Sequence, residues 1–228
     1  MKYSIVFPCY NESENLPNLI DSIKRFSQNY NVEFILVQNG SKDNSEVLLR
    51  SLLKDVNRTT LCSVPVNKGY GYGIKQGLKL CSGDFVCWMH SDMQLDPSVL
   101  YEFFDYIERS HNKQLFLKGE RHNRSIIDHI FTKAMGIFES ILFRTYVFDV
   151  MSMPVIIRKD IIKIDLLPDD FSIDIYTYIL AKRKKMDVVH LPVYMKNRTK
   201  GVSSWNTGFI SRIRQSIKII NASRKINL

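Results

Sequence analysis

Short, mostly apolar segments alternate along the first half of the chain with segments whose apolar residues recur every three or four positions. The short segments lie at 3–7, 34–37, 61–64 and 85–89 and have the length and composition of buried strands. The most regular helical face between them is formed by Leu16, Leu19, Ile20, Ile23 and Phe26. Because this order of elements forms βαβ units, we predict an α/β fold, with a mostly parallel central sheet flanked by helices.

The second half of the chain continues the pattern with three more predicted strands, at 115–118, 155–157 and 188–193. The segment 126–148 is predicted to be a helix. Its apolar face is wider than one core contact needs, so we expect it to have two apolar partners. We find no internal repeat, linker or low-complexity segment. We therefore predict a single domain over residues 1–204, followed by a helix over residues 205–228.

The segment 205–228 combines apolar residues at helical spacing with surrounding basic residues. The apolar set is Phe209, Ile210, Ile213, Ile217 and Ile220. A basic amphipathic helix of this kind can lie on an anionic membrane surface, or it can dock on the domain as an ordinary terminal helix. The sequence leaves both interpretations open.

The composition is that of an ordinary globular protein. Of the 228 residues, 45% are hydrophobic and 24% are charged, which excludes a disordered or collagen-like chain. A chain of this size buries enough surface to fold without disulfides or a structural metal. The four cysteines form no CxxC pair and no Cys/His cluster with zinc spacing. We therefore expect buried thiols in a reducing cytosol.

No segment predicts export or a membrane span. The N-terminal apolar segment is too short for a signal peptide. The longest apolar stretch, 135–157, contains Glu139, Arg144, Asp149 and Pro154, and charged residues are costly at a bilayer centre. We expect a cytoplasmic protein, with a peripheral position on the cytoplasmic face of a membrane left open.

The net charge of +9, from 32 basic and 23 acidic residues, does not by itself indicate a nucleic-acid partner. The basic residues are spread along the chain and match no known nucleic-acid-binding motif, so we expect no nucleic acid to bind. The oligomeric state is left open.

Polar residues follow four of the predicted strands, where ligands bind in open α/β sheets. These segments lie at 8–12, 38–41, 90–94 and 118–121. Asp92 and Gln94, two residues apart after a strand, can supply oxygen ligands to a divalent cation that bridges phosphates. The sequence therefore makes Asp92 and Gln94 a candidate site for a divalent cation at this edge of the sheet.

The same segments resemble motifs of the family-2 glycosyltransferases of the glycosyltransferase-A fold, especially the dolichol- or polyprenyl-phosphate hexosyl transferases. FPCYNESENL resembles the opening P-x-Y-N-E-x-x-N-L, VQNGSKDNS resembles D-D-G-S-x-D-x-T, and NKGYGYGIKQGL resembles N-x-G-x-G-x-A-x-x-x-G. HSDMQLDP resembles D-A-D-L-Q-H-P, KGER resembles G-x-R, FSIDIY resembles the segment with a conserved acid, and NRTKGVSSW resembles R-x-x-G-x-S. The resemblance covers almost the whole chain.

The resemblance implies a metal-dependent, inverting transfer of a sugar from a nucleoside-diphosphate sugar, with UDP as the default nucleotide. The acceptor would be a polyprenyl phosphate or a growing cell-surface glycan, and the cofactor a divalent cation, Mg²⁺ or Mn²⁺. Asp92 and Gln94 match metal-binding positions of the family. Pro8, Tyr10 and Glu12 would line the nucleotide pocket, and Lys68 of the glycine-rich motif would also bind substrate.

The remaining predicted site residues are basic or acidic and lie later in the chain. Lys118 and Arg121 follow a strand and could neutralise a diphosphate leaving group. Asp174 matches the conserved acid and would be the general base for a hydroxyl acceptor, whereas a lipid phosphate is already anionic and needs none. Arg198 and Lys200 lie in the loop that, by resemblance, closes over the donor and acceptor phosphates.

Two departures from the family pattern leave alternatives open. Gln38 and Asn39 replace a pair of aspartates, and an amide offers both a donor and an acceptor to a base. Uracil is therefore the default base, with guanine and cytosine as alternatives. His90 replaces the first aspartate of the metal motif and could ligate the metal, donate a hydrogen bond to a diphosphate, or simply end a strand. These replacements also leave a non-catalytic nucleotide-sugar-binding protein as the alternative function.

Overall fold

A mixed sheet of seven strands, in the order β3-β2-β1-β4-β6-β5-β7, forms the centre of the protein. The computed structural model describes residues 1–26, 30–123, 126–196 and 200, together with Ile217, Ile220, Asn221 and Arg224. The strands are β1 Tyr3–Cys9, β2 Val32–Asn39, β3 Thr59–Val64, β4 Phe85–Trp88, β5 Leu115–His122, β6 Val155–Arg158 and β7 Asp187–Tyr194. All of them run in one direction except β6, which pairs antiparallel with both β4 and β5. The predicted α/β fold with a mostly parallel sheet is confirmed.

Helices connect the strands within the described part of the chain. They are α1 Leu16–Phe26, α2 Ser45–Leu52, α3 Tyr70–Leu80, α4 Leu100–Arg109, α5 Ile126–Phe143 and α6 Ser172–Arg183. The apolar face that the sequence predicts for α1 is buried along its whole length. Helix α3 packs closely on the sheet at Gly77, where an added Cβ would lie 2.4 Å from a methyl group of Val6. Glycine at this position therefore brings the glycine-rich motif against β1.

Several elements differ in length from the prediction. Strands β1, β2 and β5 continue two or more residues into their polar ends. Helix α5 ends at Phe143, five residues earlier than predicted, because Arg144 adopts a positive φ of 51°. The amides of Arg144 and Thr145 then donate to the carbonyls of Ile141 and Ser140, the hydrogen-bond pattern of a Schellman cap.

The two apolar partners predicted for α5 are not found among the described residues. Gly136 and Glu139 on one side of the helix are buried, whereas Ile127, Ile130 and Ile141 on the other side are each more than half exposed. One face of α5 therefore packs on the protein and the other carries uncovered isoleucines.

All four cysteines are free thiols, and three of them, Cys9, Cys81 and Cys87, are buried as predicted. Among the helices in the described parts of the chain, none is both long and apolar enough to cross a membrane.

Candidate active site

The carboxyl ends of β1, β2, β4 and β5 lie along one edge of the sheet, because these four strands run in the same direction. The polar segments that the sequence predicts as ligand-binding follow these four strands. The structure therefore gathers them along a single edge, where ligands of open α/β sheets bind.

The loop after β1 is hydrogen-bonded to the loop after β2. The Asn11 amide donates to Ser41 Oγ (3.0 Å), and the Glu12 amide donates to Ser45 Oγ (3.0 Å). These bonds join the two segments that the sequence predicts to bind the nucleotide. The predicted pocket residues of the first loop are all half-buried: Pro8, Tyr10 and Glu12.

Gln38 is a buried side chain near the end of β2 whose amide is engaged at both ends. Its Oε1 accepts from the Gly40 amide (2.7 Å), and its Nε2 donates to Glu46 Oε2 (3.2 Å). Because the backbone N–H needs an acceptor and the carboxylate needs a donor, these partners fix the orientation of the amide. Gln38 keeps one N–H and one lone pair for a further partner.

Asn39, next to Gln38, is also buried, and its Nδ2 donates to the Gly69 carbonyl (3.1 Å). Its Oδ1 has no hydrogen-bond partner within the described part of the chain. Helix α3 approaches this side chain closely, since an added Cβ at Gly73 would lie 2.8 Å from Nδ2. Lys68 at the same edge is exposed, and its Nζ lies 5.2 Å from the ring centroid of Tyr72.

His90, Asp92 and Gln94 follow β4 and are all half-buried. Asp92 Oδ1 accepts from the Gln94 amide (3.1 Å), and the His90 ring lies 5.4 Å from that of Tyr70. Across residues 1–26, 30–123 and 126–196, no group of three or more His, Cys, Asp or Glu side chains could hold a metal ion. Asp92 and Gln94 together offer one carboxylate and one amide oxygen, so a divalent cation held there would need further oxygen ligands from a bound substrate.

Arg121, near the end of β5, is held by Asp149 in the loop before β6. The Arg121 amide donates to Asp149 Oδ2 (2.8 Å) and Nε donates to Oδ1 (2.9 Å), while Nη2 also contacts Oδ1. Burial raises the pKa of Asp149, but the Arg121 guanidinium outweighs this effect and holds the pKa below its ordinary value. The Arg121 side chain remains 16% exposed, so part of it reaches solvent from a fixed position.

Lys118 is buried inside the protein, whereas the sequence predicts that its side chain contacts a diphosphate. Strand β5 continues to His122, so Lys118 and Arg121, three positions apart, point to opposite faces of the sheet. Lys118 is fully buried and its Nζ donates to the Ser152 carbonyl (2.7 Å). Burial lowers its pKa to about 8, although the carboxylate of Asp174 opposes the shift. The predicted contact between Lys118 and a diphosphate does not fit this buried position.

Asp174, in the first turn of α6, is fully buried behind the end of β4. Its Oδ1 accepts from Trp88 Nε1 (2.9 Å), whereas Oδ2 has no hydrogen-bond partner among the residues that the structure describes. Burial raises the pKa of this carboxyl, and the charge of Lys118 opposes the increase. Asp174 therefore lies inside the protein, within a cluster of buried charges.

Four residues in or beside this region carry no sequence signal that predicts a site role: Glu46, Trp88, Glu139 and Asp149. Trp88 looks like an ordinary apolar strand residue, and Asp149 is 28 residues from its partner Arg121 along the chain. Glu46 is the second residue of α2 and lies four positions before Arg50. This spacing alone indicates only a surface ion pair between the two side chains. Glu139 is the one of the four with a usable sequence signal, because an acid within an apolar helical segment indicates a buried charge.

The roles predicted for Arg198 and Lys200 stay predictions. Arg198 lies outside the described residues, and Lys200 is exposed. Most of the predicted helix at 205–228 also lies outside the described residues.

The sheet order and the strand-end site define a glycosyltransferase-A domain, and solved structures share this fold. Glucosyl-3-phosphoglycerate synthase from Mycobacterium tuberculosis, in complex with Mn²⁺, UDP and glucosyl-3-phosphoglycerate, superposes with a TM-score of 0.70 at 19% identity, covering 100% of this chain and 81% of that chain. The same enzyme with Mn²⁺, UDP and phosphoglyceric acid gives a TM-score of 0.72 at 19% identity, over 100% and 80% of the two chains.

The family model described as Glycosyl transferase family 2 matches residues 4–156. The chain therefore belongs to glycosyltransferase family 2.

Among curated proteins, the chain is similar to undecaprenyl-phosphate 4-deoxy-4-formamido-L-arabinose transferases from Yersinia pestis (strain Pestoides F) and Yersinia pseudotuberculosis (serotype O:3, strain YPIII). The identity to each is 31% over 169 residues, which cover 66% of this chain and 51% of the relative. The chain thus spans about half the length of the curated relatives it matches.

Proposed function

We propose that the protein is an inverting glycosyltransferase that moves the sugar of a UDP-sugar to a polyprenyl phosphate and releases UDP, with a divalent cation at Asp92. Family membership, the undecaprenyl-phosphate transferases among its relatives and the Mn²⁺ and UDP in the solved neighbours support the reaction class. The nucleotide would occupy the joined loops after β1 and β2. The sugar and diphosphate would then extend past β4 towards Arg121.

The observation that favours a lipid phosphate over a glycan hydroxyl is the burial of Asp174. A hydroxyl acceptor needs a general base within hydrogen-bond reach, and Asp174, the predicted base, has no exposed surface. A phosphate acceptor is already an anionic nucleophile, so it can attack the anomeric carbon without a base. In this proposal the buried carboxyl balances the charge of Lys118 and does not touch substrate.

The residues of this chain would bind and orient the reactants around the departing diphosphate. Asp92, with Gln94 and His90 beside it, would hold the cation, which when bound would stabilise the negative charge that develops on the diphosphate. Arg121 would meet the same charge from the β5 side, and Asp149 keeps its guanidinium in place, so little reorganisation is needed during the reaction.

The test is a transfer assay with purified protein, UDP-sugars and detergent-solubilised undecaprenyl phosphate, run with Mn²⁺, Mg²⁺ or EDTA. We expect radiolabelled sugar to enter the lipid fraction with metal and not with EDTA. In parallel, UDP, GDP and CDP are compared by thermal shift, since a nucleotide at a hundred times its dissociation constant adds about 2.7 kcal/mol of stability. Nucleotide binding without any transfer would favour the non-catalytic alternative, and transfer only to a glycan hydroxyl would overturn the proposed acceptor.

A further inference from the structure

Helix α5 carries a stripe of isoleucines that no described residue covers. Ile127, Ile130, Ile137 and Ile141 are 54%, 60%, 63% and 73% exposed. Their spacing of three, seven and four positions places them in one line along a helix of 18 residues. We call these four residues the isoleucine stripe. Contiguous exposed apolar surface of this kind marks an interaction site more often than scattered single residues do.

The opposite side of α5 is fixed on the protein, so the helix lies flat with the stripe outward. Glu139 and Gly136 are buried there, and an added Cβ at Gly136 would lie 3.3 Å from the Val147 carbonyl. The Val147 amide donates to Ser140 Oγ (3.0 Å), which joins the helix to the loop that follows it. A helix held along one side presents its other side as a continuous surface.

The exposed Lys and Arg residues within residues 126–148 give this segment exposed positive charge. Lys133 and Arg144 are exposed, and the guanidinium carbon of Arg224 lies 5.9 Å from the ring centroid of Phe138 on α5. The acids within residues 126–148 are Asp128, which is half-buried, and Glu139, which is buried. Aliphatic side chains flanked by cations are typical of helices that lie in a lipid headgroup layer, whereas protein interfaces favour aromatic residues and arginine at their centre.

We propose that the isoleucine stripe docks on an anionic lipid surface, with its isoleucines among the upper acyl chains and its cations at the headgroups. The inference rests on the proposed function in one respect: a polyprenyl phosphate presents its phosphate at such a surface. Helix α5 begins shortly after Arg121, and the loop that follows it contains Asp149, which binds Arg121. Helix α5 is thus flanked in sequence by Arg121, which we place at the diphosphate, and by its partner Asp149.

Vesicle flotation with the whole 228-residue chain tests the docking surface. Vesicles of phosphatidylglycerol and phosphatidylcholine are compared with vesicles of phosphatidylcholine alone, at low and high salt. The test variant is Ile130→Gln with Ile137→Gln, because glutamine keeps good helix propensity at exposed positions. The matched control is Val47→Gln with Leu166→Gln, two apolar residues that are 69% and 61% exposed elsewhere on the protein.

We expect wild type and the control to bind anionic vesicles and to bind less at high salt. The stripe variant should lose about tenfold or more in partition coefficient, because two apolar side chains no longer enter the lipid. Equal partitioning of wild type and stripe variant would overturn the proposal. So would a dimer in light scattering that the stripe variant dissociates, with no vesicle binding by either protein.

The outcome is separable from that of the proposed function. Transfer to detergent-solubilised undecaprenyl phosphate without vesicle binding would overturn only the docking surface. Vesicle binding that depends on the stripe, without any transfer, would uphold the surface and overturn only the reaction.

Discussion

Gln38 places an amide in the predicted base pocket where the family motif has a carboxylate, and the carboxylate of Glu46 holds one end of that amide. The carboxylate of Glu46 accepts from Gln38 Nε2, and Arg50 donates to the same carboxylate at 2.7 Å. The negative charge of Glu46 is therefore present next to the predicted pocket, but the Gln38 amide lies between this charge and the predicted position of the base. We infer that Gln38 and Glu46 act as a pair in reading the nucleotide.

Exchanging the two groups tests this pair. In Gln38→Glu alone, two carboxylates would face each other, so we expect weaker binding of every nucleotide. Adding Glu46→Gln restores one amide–carboxylate hydrogen bond and leaves a carboxylate, which only accepts, towards the base. The double variant should then discriminate against CDP by about 1–3 kcal/mol, since the ring nitrogen of cytosine offers no proton. Calorimetry with UDP, GDP and CDP measures this, and unchanged affinity ratios in both variants would remove Gln38 from the base pocket.

Asp92 is the single carboxylate in the predicted metal set, so its loss should be severe. We expect Asp92→Ala to lower transfer by about a hundredfold or more while unfolding at the wild-type temperature, because an electrostatic contact to the leaving group is lost. Gln94→Ala should be milder. Asp165→Ala, at a side chain that is 92% exposed, is the control for a surface carboxylate. Wild-type turnover in Asp92→Ala would contradict the assignment of the metal site.

Residues at strand ends were predictable and their partners were not. The strand-end positions of Tyr10, Gln38 and Asp92 could be predicted because polar residues interrupt apolar segments at a regular place in an α/β fold. Asp149 could not be found, since nothing local indicates that it binds Arg121. The burial of Lys118 could not be predicted, because it depends on the Ser152 carbonyl, 34 residues away along the chain, which accepts from its Nζ.

Helix α5 is the element in which local sequence and tertiary contacts disagree most. Its sequence is strongly apolar, yet it buries Glu139 and exposes isoleucines. Glu139 Oε1 has no hydrogen-bond partner in the described part of the chain, and burial raises the pKa of this carboxyl to about 7, although the charge of Lys118 opposes the increase. The carboxyl is therefore protonated in the folded protein at pH values where it would be ionised in the unfolded chain.

The stability contributed by the protonated carboxyl of Glu139 should fall as pH rises. The pKa of this carboxyl is higher in the folded protein than in the unfolded chain. Its contribution to the free energy of unfolding is therefore full below the ordinary pKa of glutamate and is lost as pH rises through about 7. We expect Glu139→Gln, which mimics the protonated form, to exceed wild type at about pH 8 by on the order of 2 kcal/mol in free energy of unfolding. At about pH 5 the two should differ little.

Urea unfolding at both pH values measures this difference, with Asp165→Asn as the exposed control. The same difference between Glu139→Gln and wild type at both pH values would mean that the carboxyl does not change its protonation on folding.

The ends of α5 show why element boundaries were less predictable than element types. Periodicity continued to position 148, but the chain turns at Arg144, whose positive φ is more usual for glycine or asparagine. Sequence periodicity indicates which residues are apolar, and the cap geometry that ends the helix is settled by its contact with the following loop.

At the scale of the whole molecule, two parts of the central sheet would contribute different residues to the proposed reaction. Strands β3, β2, β1 and β4 carry the predicted nucleotide and metal residues, and β5 carries Arg121. The sequence predicted the parallel first part well, because each strand there is followed by a helix. It could not predict that β6 inserts antiparallel between β4 and β5, since short apolar strands carry no mark of their direction. The boundary between a domain at 1–204 and a helix at 205–228 stays a prediction.

Strand β6 has a consequence for how much of the chain is needed to make a folded unit. The match to the family model ends at residue 156, inside Val155–Arg158. A fragment cut there would leave β4 and β5 without their shared neighbour, and each would expose a row of unpaired backbone N–H and C=O groups. Uncovered edges of this kind pair readily with other chains, so such a fragment would tend to aggregate. The segment matched by the family model is therefore smaller than the segment that must be expressed to obtain a folded sheet.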